Sequence, residues 1–255
     1  MIKLLKYDVL FLKRTAKMIV FPALIVLMSI VSPLTAKYMN QLLLSILEDT
    51  GVNITLPDPV LLDSYIQYMS DLNEIVLLVV LFVSVSIFIR DKTKDLLPLI
   101  FSKPVSRVKY LMSKYISFSV LLLVSFIMGY LVFTYYTYYL FDGLYFVEGF
   151  IAIMLYFLYL LFLISIAMLM SILFKNYIMA IIMTFLAYIV FSVLSIFENV
   201  AILKYFPNLL NNYATTYLSM GEFPEELGIT VLLTMVFTGG LLYLSMIIFN
   251  NQEIQ

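Results

Sequence analysis

Fifteen Lys and Arg, sixteen Asp and Glu, and twenty Tyr are the only ionisable side chains in this 255-residue chain, which has neither histidine nor cysteine. Without histidine, a Ser–His–Asp arrangement or a His-containing metal site cannot be built. Without cysteine there is no disulfide, so exposed loops must be held by packing. None of the eight glycines opens a G-x-x-x-x-G-K-[ST] phosphate loop. Intramembrane aspartyl chemistry would need paired acids inside an apolar run, and the spans set out below hold none. The sequence therefore predicts no catalytic residue, no bound cofactor and no metal site, and it does not read as an enzyme.

The polar stretch with the most chemical potential is Arg90 to Lys114, RDKTKDLLPLIFSKPVSRVKYLMSK. It carries seven of the fifteen basic residues, yet its middle, Leu96–Phe101, is apolar except for Pro98. A plain connecting loop has no need of an apolar centre, whereas a short helix under a membrane, with one face offered to a soluble partner, does. The residues expected to meet such a partner are Asp91, Thr93, Lys94, Asp95, Leu96, Leu97, Pro98, Leu99, Ile100 and Phe101. Asp91 and Asp95 are four apart, so a helix presents both on one face, away from Leu96, Leu97, Leu99 and Ile100. Like charges at that spacing mildly destabilise an isolated helix and make better sense if a partner brings cations, although ordinary solvation would also suffice. Pro98 predicts a kink or an end near Leu97. Ser102-Lys103-Pro104-Val105-Ser106-Arg107 then turns the chain, and the next helix is expected to start with Val108-Lys109-Tyr110.

The elements around this stretch follow from composition. Hydrophobic residues make up 64% of the chain and charged residues 12%, against roughly 45–50% and 25% in ordinary globular chains. Apolar runs long enough to cross about 30 Å of hydrocarbon recur. Six spans are predicted: Lys17–Ala36, Glu74–Ile89, Tyr115–Phe141, Gly149–Phe174, Tyr177–Phe197 and Leu227–Phe249. With the N-terminus inside, thirteen Lys and Arg fall on the inner side and only Lys37 and Lys204 outside, which orients the chain with both termini cytoplasmic. The expected fold is all-α, a single polytopic transmembrane domain over residues 1–255. It would have an interfacial helix at 1–16, a cytoplasmic loop at 90–114 and extracellular loops at 37–73 and 198–226.

In the leader, Lys3, Lys6, Lys13, Arg14 and Lys17 project into an arc of roughly 100°, with Ile2, Leu5, Val9 and Leu12 opposite. That is the pattern of an amphipathic helix lying on the membrane, its cations at lipid phosphates. The polar lead of seventeen residues without a small-x-small cleavage site favours an anchor over a signal peptide. Gly51, Pro57 and Pro59 divide the first outward loop, whose second piece is amphipathic through Leu61, Tyr65, Met69 and Leu72. Asn53-Ile54-Thr55 matches a glycosylation sequon, a pattern too short to carry weight. Lys175-Asn176 alone separates the fourth and fifth spans, which must form a helical hairpin. Leu209, Leu210, Tyr213 and Tyr217 predict a short helix in the last outward loop. Gly239-Gly240 would let the last span pack closely. Tyr135, Tyr136, Tyr138 and Tyr139 end the third span as an interfacial aromatic belt, or alternatively as a lining for an amphipathic cargo. The middles of the predicted spans hold no Asp, Glu, Lys, Arg or His, which counts against an ion-coupled carrier or a charge-ringed channel.

The layout resembles the permease subunits of type-2 ABC transporters, exporter class. Shared features are the interfacial N-terminal helix, six spans with both ends inside, and a coupling helix after the second span. A small–basic–Pro–x–Ser–Arg turn follows, here Ser102 to Arg107, and then a Lys, here Lys114. Where that family carries an acidic residue followed by Gly-Thr, this chain has Asp95 and Leu96. The resemblance implies a half-transporter in a bacterial plasma membrane. Two permease chains, identical or paralogous, would be driven by two ABC ATPase subunits that hold the ATP and Mg, moving an amphipathic or hydrophobic cargo, favoured to be a peptide, outward by alternating access. The richness in Ile, Leu, Tyr, Asn and Lys suits a low-GC Gram-positive bacterium, and no nucleic-acid partner is expected. A self-sufficient pore or carrier, or an immunity protein that binds a toxin without moving it, are the alternatives.

Overall fold

A computed structural model describes residues 2–48, 57–102, 104–196 and 203–252. Its elements are helical, with no strand among the described residues, as expected where lipid offers no partner for a backbone N–H or C=O. Helix α1 (Ile2–Arg14) is followed by α2 (Lys17–Glu48), α3 (Leu61–Asp71), a π turn (Leu72–Val76), α4 (Leu77–Thr93) and the short α5 (Leu97–Phe101). Then come α6 (Arg107–Phe141), α7 (Phe146–Leu173), α8 (Tyr177–Ile196), a 3₁₀ turn (Leu203–Tyr205), α9 (Leu209–Met220) and α10 (Leu227–Asn251). Six helical stretches are long and apolar enough to cross a membrane.

Three of the six run well past the predicted spans. Helix α2 continues through Pro22 and Pro33 and past Ala36 to Glu48. The second span begins at Leu61 rather than Glu74, so the segment expected as the loop 37–73 is helical at both ends. Its polar residues break the hydropathy pattern but not the helix, because they pair inside it. Ser32 Oγ donates to Asp71 Oδ2 at 2.6 Å and Gln67 Nε2 donates to Asp71 Oδ1 at 2.9 Å. Helix α6 starts at Arg107, close to the expected Val108 but eight residues before the predicted membrane span. The Asn53–Thr55 sequon lies outside the described residues.

Helix α7 is the centre, packed against α4, α8, α9 and α10, while α2 packs most extensively against α6. The close approaches occur at Gly129 and Gly149. A Cβ on Gly129 would overlap Ile25 and crowd Ser29 Oγ, and one on Gly149 would overlap Tyr65 and crowd the Tyr130 hydroxyl. At Gly239 and Gly240 a Cβ would meet nothing within 4 Å, so the expectation of close packing there is corrected. Helices α8 and α10 turn most of their apolar surface away from the fold. The hairpin at Lys175-Asn176 and the short helix α9, with Leu209, Leu210 and Tyr217 buried, form as predicted. Ala16, at φ 57, makes the elbow between α1 and α2.

Candidate coupling site

Helix α4 ends in a double closure. The Leu96 N–H donates to Asp91 O at 2.9 Å and the Asp95 N–H to Lys92 O at 3.4 Å, with Asp95 left-handed at φ 50. This is a Schellman end with aspartate where glycine is usual. Helix α5 starts afresh one residue later. Pro98 lies in its first turn, where a missing N–H loses nothing, so the expectation that Pro98 ends a helix is corrected: it opens one. Leu96, Leu97, Ile100 and Phe101 are half-buried, while Thr93, Lys94, Asp95, Pro98 and Leu99 are exposed. Leu99 is 68% exposed, an apolar side chain turned largely outward. Beside it, Leu4 and Tyr7 of α1 and Leu96, Leu99, Ile100, Val105 and Tyr110 line an apolar cavity of about 440 Å³.

Asp91 is not on that open face. It is 1% exposed, with Lys114 Nζ 2.6 Å from its Oδ2, and the Tyr110 hydroxyl donates to the same oxygen at 2.6 Å. The expected pairing of Asp91 with Asp95 toward a partner's cations is therefore corrected: Asp91 has its cation within the chain, and only Asp95 is exposed. Lys114, itself 3% exposed, also donates to Ile87 O at 3.1 Å. The Arg90 guanidinium stacks 3.9 Å from the Phe11 ring centroid of α1. From α1, Asp8 joins the cluster by accepting a hydrogen bond from Ser113. Burial pushes the Asp8 carboxyl up from its ordinary value, opposed by that hydrogen bond and by the charge of Lys114. Asp8, Tyr110 and Ser113 were not among the predicted site residues. Asp8 had a signal, since it is the one acid among the first forty-seven residues and sits amid five cations.

Two more cations close helix ends. Arg107 Nη1 donates to the carbonyls of Phe249, Asn250 and Gln252 at 3.1, 2.8 and 2.7 Å, capping α10. Lys92 Nζ caps α7 through Ile172 O at 2.6 Å and Phe174 O at 3.0 Å. Such contacts satisfy orphan carbonyls and oppose the helix dipole. Phe101 of α5 meets Tyr110 edge-on at 5.4 Å, and Tyr110 stacks on Phe249 at 6.0 Å. The segment from Arg90 to Lys114 is thus fastened to α1, α6, α7 and α10. Of its turn residues, Ser102, Pro104 and Ser106 are exposed, and Lys103 lies outside the described residues.

The other predicted contact residues sort as follows. Lys6, Lys13 and Arg14 are exposed. Lys17 turns inward and donates to Ser86 Oγ at 2.9 Å, which corrects its placement on the lipid-facing arc. The side chain of Lys3 lies outside the described set. Asp8 and Leu12 form the buried stripe of α1, whereas Val9, expected on the apolar face, is exposed. Tyr135, Tyr138 and Tyr139 are 62–76% exposed and Tyr136 half-buried, so within one chain they line no internal path. Among the described residues no cluster of three or more His, Cys, Asp or Glu could hold a metal.

Six membrane-length helices around an apolar core, with a short two-faced helix fastened to one end, define an α-helical, multi-pass membrane protein. The family model described as ABC-2 family transporter protein matches residues 30–249, most of the chain, and the chain belongs to that family. It is accordingly a transmembrane permease subunit of an ABC transporter, not itself catalytic, and membership implies an ABC ATPase partner. No curated protein and no solved structure matches it.

Proposed function

We propose that the chain is the permease of an exporter whose α5 is the coupling helix. In this reading both termini and α5 face the cytoplasm, as the distribution of Lys and Arg favours. The exposed face of α5, led by Leu99 with Thr93, Lys94, Asp95 and Pro98 beside it, rests in a groove of the ABC ATPase. ATP and Mg are held there and not in this chain. Two permease chains and two ATPases make the working unit, and nucleotide-driven movement of α5 passes to α6 and α10 through Phe101, Tyr110 and Phe249. The cargo is an amphipathic peptide, of the kind represented by the staphylococcal phenol-soluble modulins, and a Gram-positive plasma membrane is its setting. Exposed tyrosines at the end of α6 support an amphipathic cargo, because aromatic rings with hydroxyls suit a half-apolar surface.

The observation that carries the reading is an apolar residue held 68% exposed on a five-residue helix whose Phe101 packs against Tyr110 of α6 and Phe249 of α10. Leu99→Asp tests it without disturbing the buried side. The tagged chain, purified from its native membrane, should lose its co-purifying ATPase while its amount in the membrane stays the same. An undiminished ATPase yield in Leu99→Asp would overturn the assignment.

A further inference from the structure

At the end of the bundle opposite α5, a cleft of about 370 Å³ separates α3 from α9, within the range of about 300–1,000 Å³ found for small-ligand sites. Its polar lining is uncharged. Ser70 and Asn73 come from α3 and the π turn, Asn211 and Thr215 from α9, and Ile66 and Met69 give an apolar wall. The acids nearby are otherwise engaged: Asp71 accepts from Ser32 and Gln67, and Glu74 accepts from Ser70 at 3.1 Å. Among the described residues no Lys or Arg lines the cleft.

Asn211 lines the cleft. Its Oδ1 is buried and has no hydrogen-bond partner among the described residues, and a native fold rarely leaves such an atom unpaired without a reason. Thr215 spends its hydroxyl proton on Asn212 O at 2.8 Å, which leaves its oxygen an acceptor toward anything beside it. A carboxamide donates through two N–H and accepts through its oxygen, so Asn73 and Asn211 match another amide better than an ion. The π turn at Leu72–Val76, an irregularity frequent at functional sites, carries Asn73.

We propose that this cleft binds uncharged amide groups of a peptide, hydrogen-bonding the amides at Asn73 and Asn211 while an apolar side chain lies on Ile66 and Met69. The identity of that peptide as cargo rests on the exporter reading, whereas the binding itself does not.

The chain contains no tryptophan, so Ile66→Trp, at a site 42% exposed, supplies a single reporter on the cleft wall. The full-length variant in phosphatidylcholine nanodiscs is titrated with N-acetyl-Leu-Asn-amide, a neutral capped dipeptide. Saturable change in Trp emission is expected, weakened about tenfold or more when Asn211→Leu is added and likewise by Asn73→Leu, should Asn211→Leu not fold. Absence of saturation, or equal affinity in a folded Asn variant, would overturn the proposal. An equally tight response to N-acetyl-Leu-Asn with a free carboxylate in place of the terminal amide would overturn it as well. No ATPase is present in the titration, so loss of the α5–ATPase contact cannot produce a negative result here, and a blank titration leaves the co-purification result standing.

Discussion

The two ends of the bundle are held by different physics. At the end that carries α5, charged side chains reach across helices: Lys114 to Asp91, Lys92 to the end of α7, Arg107 to the end of α10. At the opposite end α2, α3, α6 and α7 meet through rings and glycines. Tyr68 stacks on Phe133 at 4.3 Å, its hydroxyl lies 3.0 Å from Ser29 Oγ, and Tyr65 accepts from the Tyr145 N–H at 3.0 Å. Gly129 and Gly149 admit neighbouring side chains where a Cβ would collide. Long cationic side chains can follow a helix end as it shifts and keep their hydrogen bonds. Interlocked rings cannot slide without opening a void. On the proposed coupling role of α5, a push delivered there is better absorbed at the charged end, with the ring-packed end as the stiffer one.

The largest effect that would test this contrast is Lys114→Met. It strands Asp91 without its buried cation and is expected to destabilise by about 3–5 kcal/mol, whereas replacing both members by apolar residues, Asp91→Leu with Lys114→Met, should recover much of the loss. Denaturant unfolding in detergent reads both, and a double variant no better than the single one would show that the pair is not the source. Overpacking the other end, by Gly149→Val or Gly129→Val, is expected to cost about 1–3 kcal/mol while the ATPase still co-purifies. Loss of the ATPase at equal stability would erase the distinction between the two ends.

A smaller effect isolates Asp8. Its folded-state affinity for a proton is raised by burial, so between the unfolded and folded values the folded protein holds more protons. Stability then falls as pH rises through that window. Asp8→Asn keeps a polar partner for Ser113 and removes the titration, so its melting temperature should lack this decline. Parallel profiles for the parent and Asp8→Asn would place the pH response elsewhere.

Much of this architecture is legible in the residues. Apolar length marks six spans because lipid demands it, the two-residue Lys175-Asn176 link forces a hairpin, and the apolar centre at Leu96–Phe101 announces a two-faced helix. What could not be read depends on which surfaces meet. Asp91 looks exposed beside Asp95 until α6 brings Lys114, twenty-three positions on, against it. Gln67, Ser70 and Asp71 fall outside the apolar span because hydropathy does not register that Ser32 satisfies Asp71, although the spacing of Leu61, Tyr65, Met69 and Leu72 already marks the amphipathic helix α3 there. Gly239-Gly240 and Gly129 are indistinguishable as letters, and only the pairing of α2 with α6 decides which glycine is crowded. The Arg107 clamp is invisible for the same reason, since its acceptors are backbone carbonyls more than 140 residues away.

The smallest predicted change probes the joint at which the charged end hands over to α5. Asp95 holds φ 50, a conformation that disfavours an L-residue by roughly 1–2 kcal/mol and that Asp tolerates better than most. Asp95→Gly relieves the strain but gives the unfolded chain more freedom, so the net gain should be below about 1 kcal/mol. The Schellman bonds from Leu96 and Asp95 stay in place. Asp95→Val cannot hold the left-handed turn without greater strain and should loosen α5 from α4. If α5 works as the coupling helix, the two substitutions separate conformation from charge. Each removes the Asp95 carboxylate, so ATPase recovery kept in Asp95→Gly and lost in Asp95→Val makes the turn the requirement. Equal loss in both makes it the carboxylate, and recovery equal to the parent in both would show that the angle between α4 and α5 is set by the Phe101–Tyr110–Phe249 contacts instead.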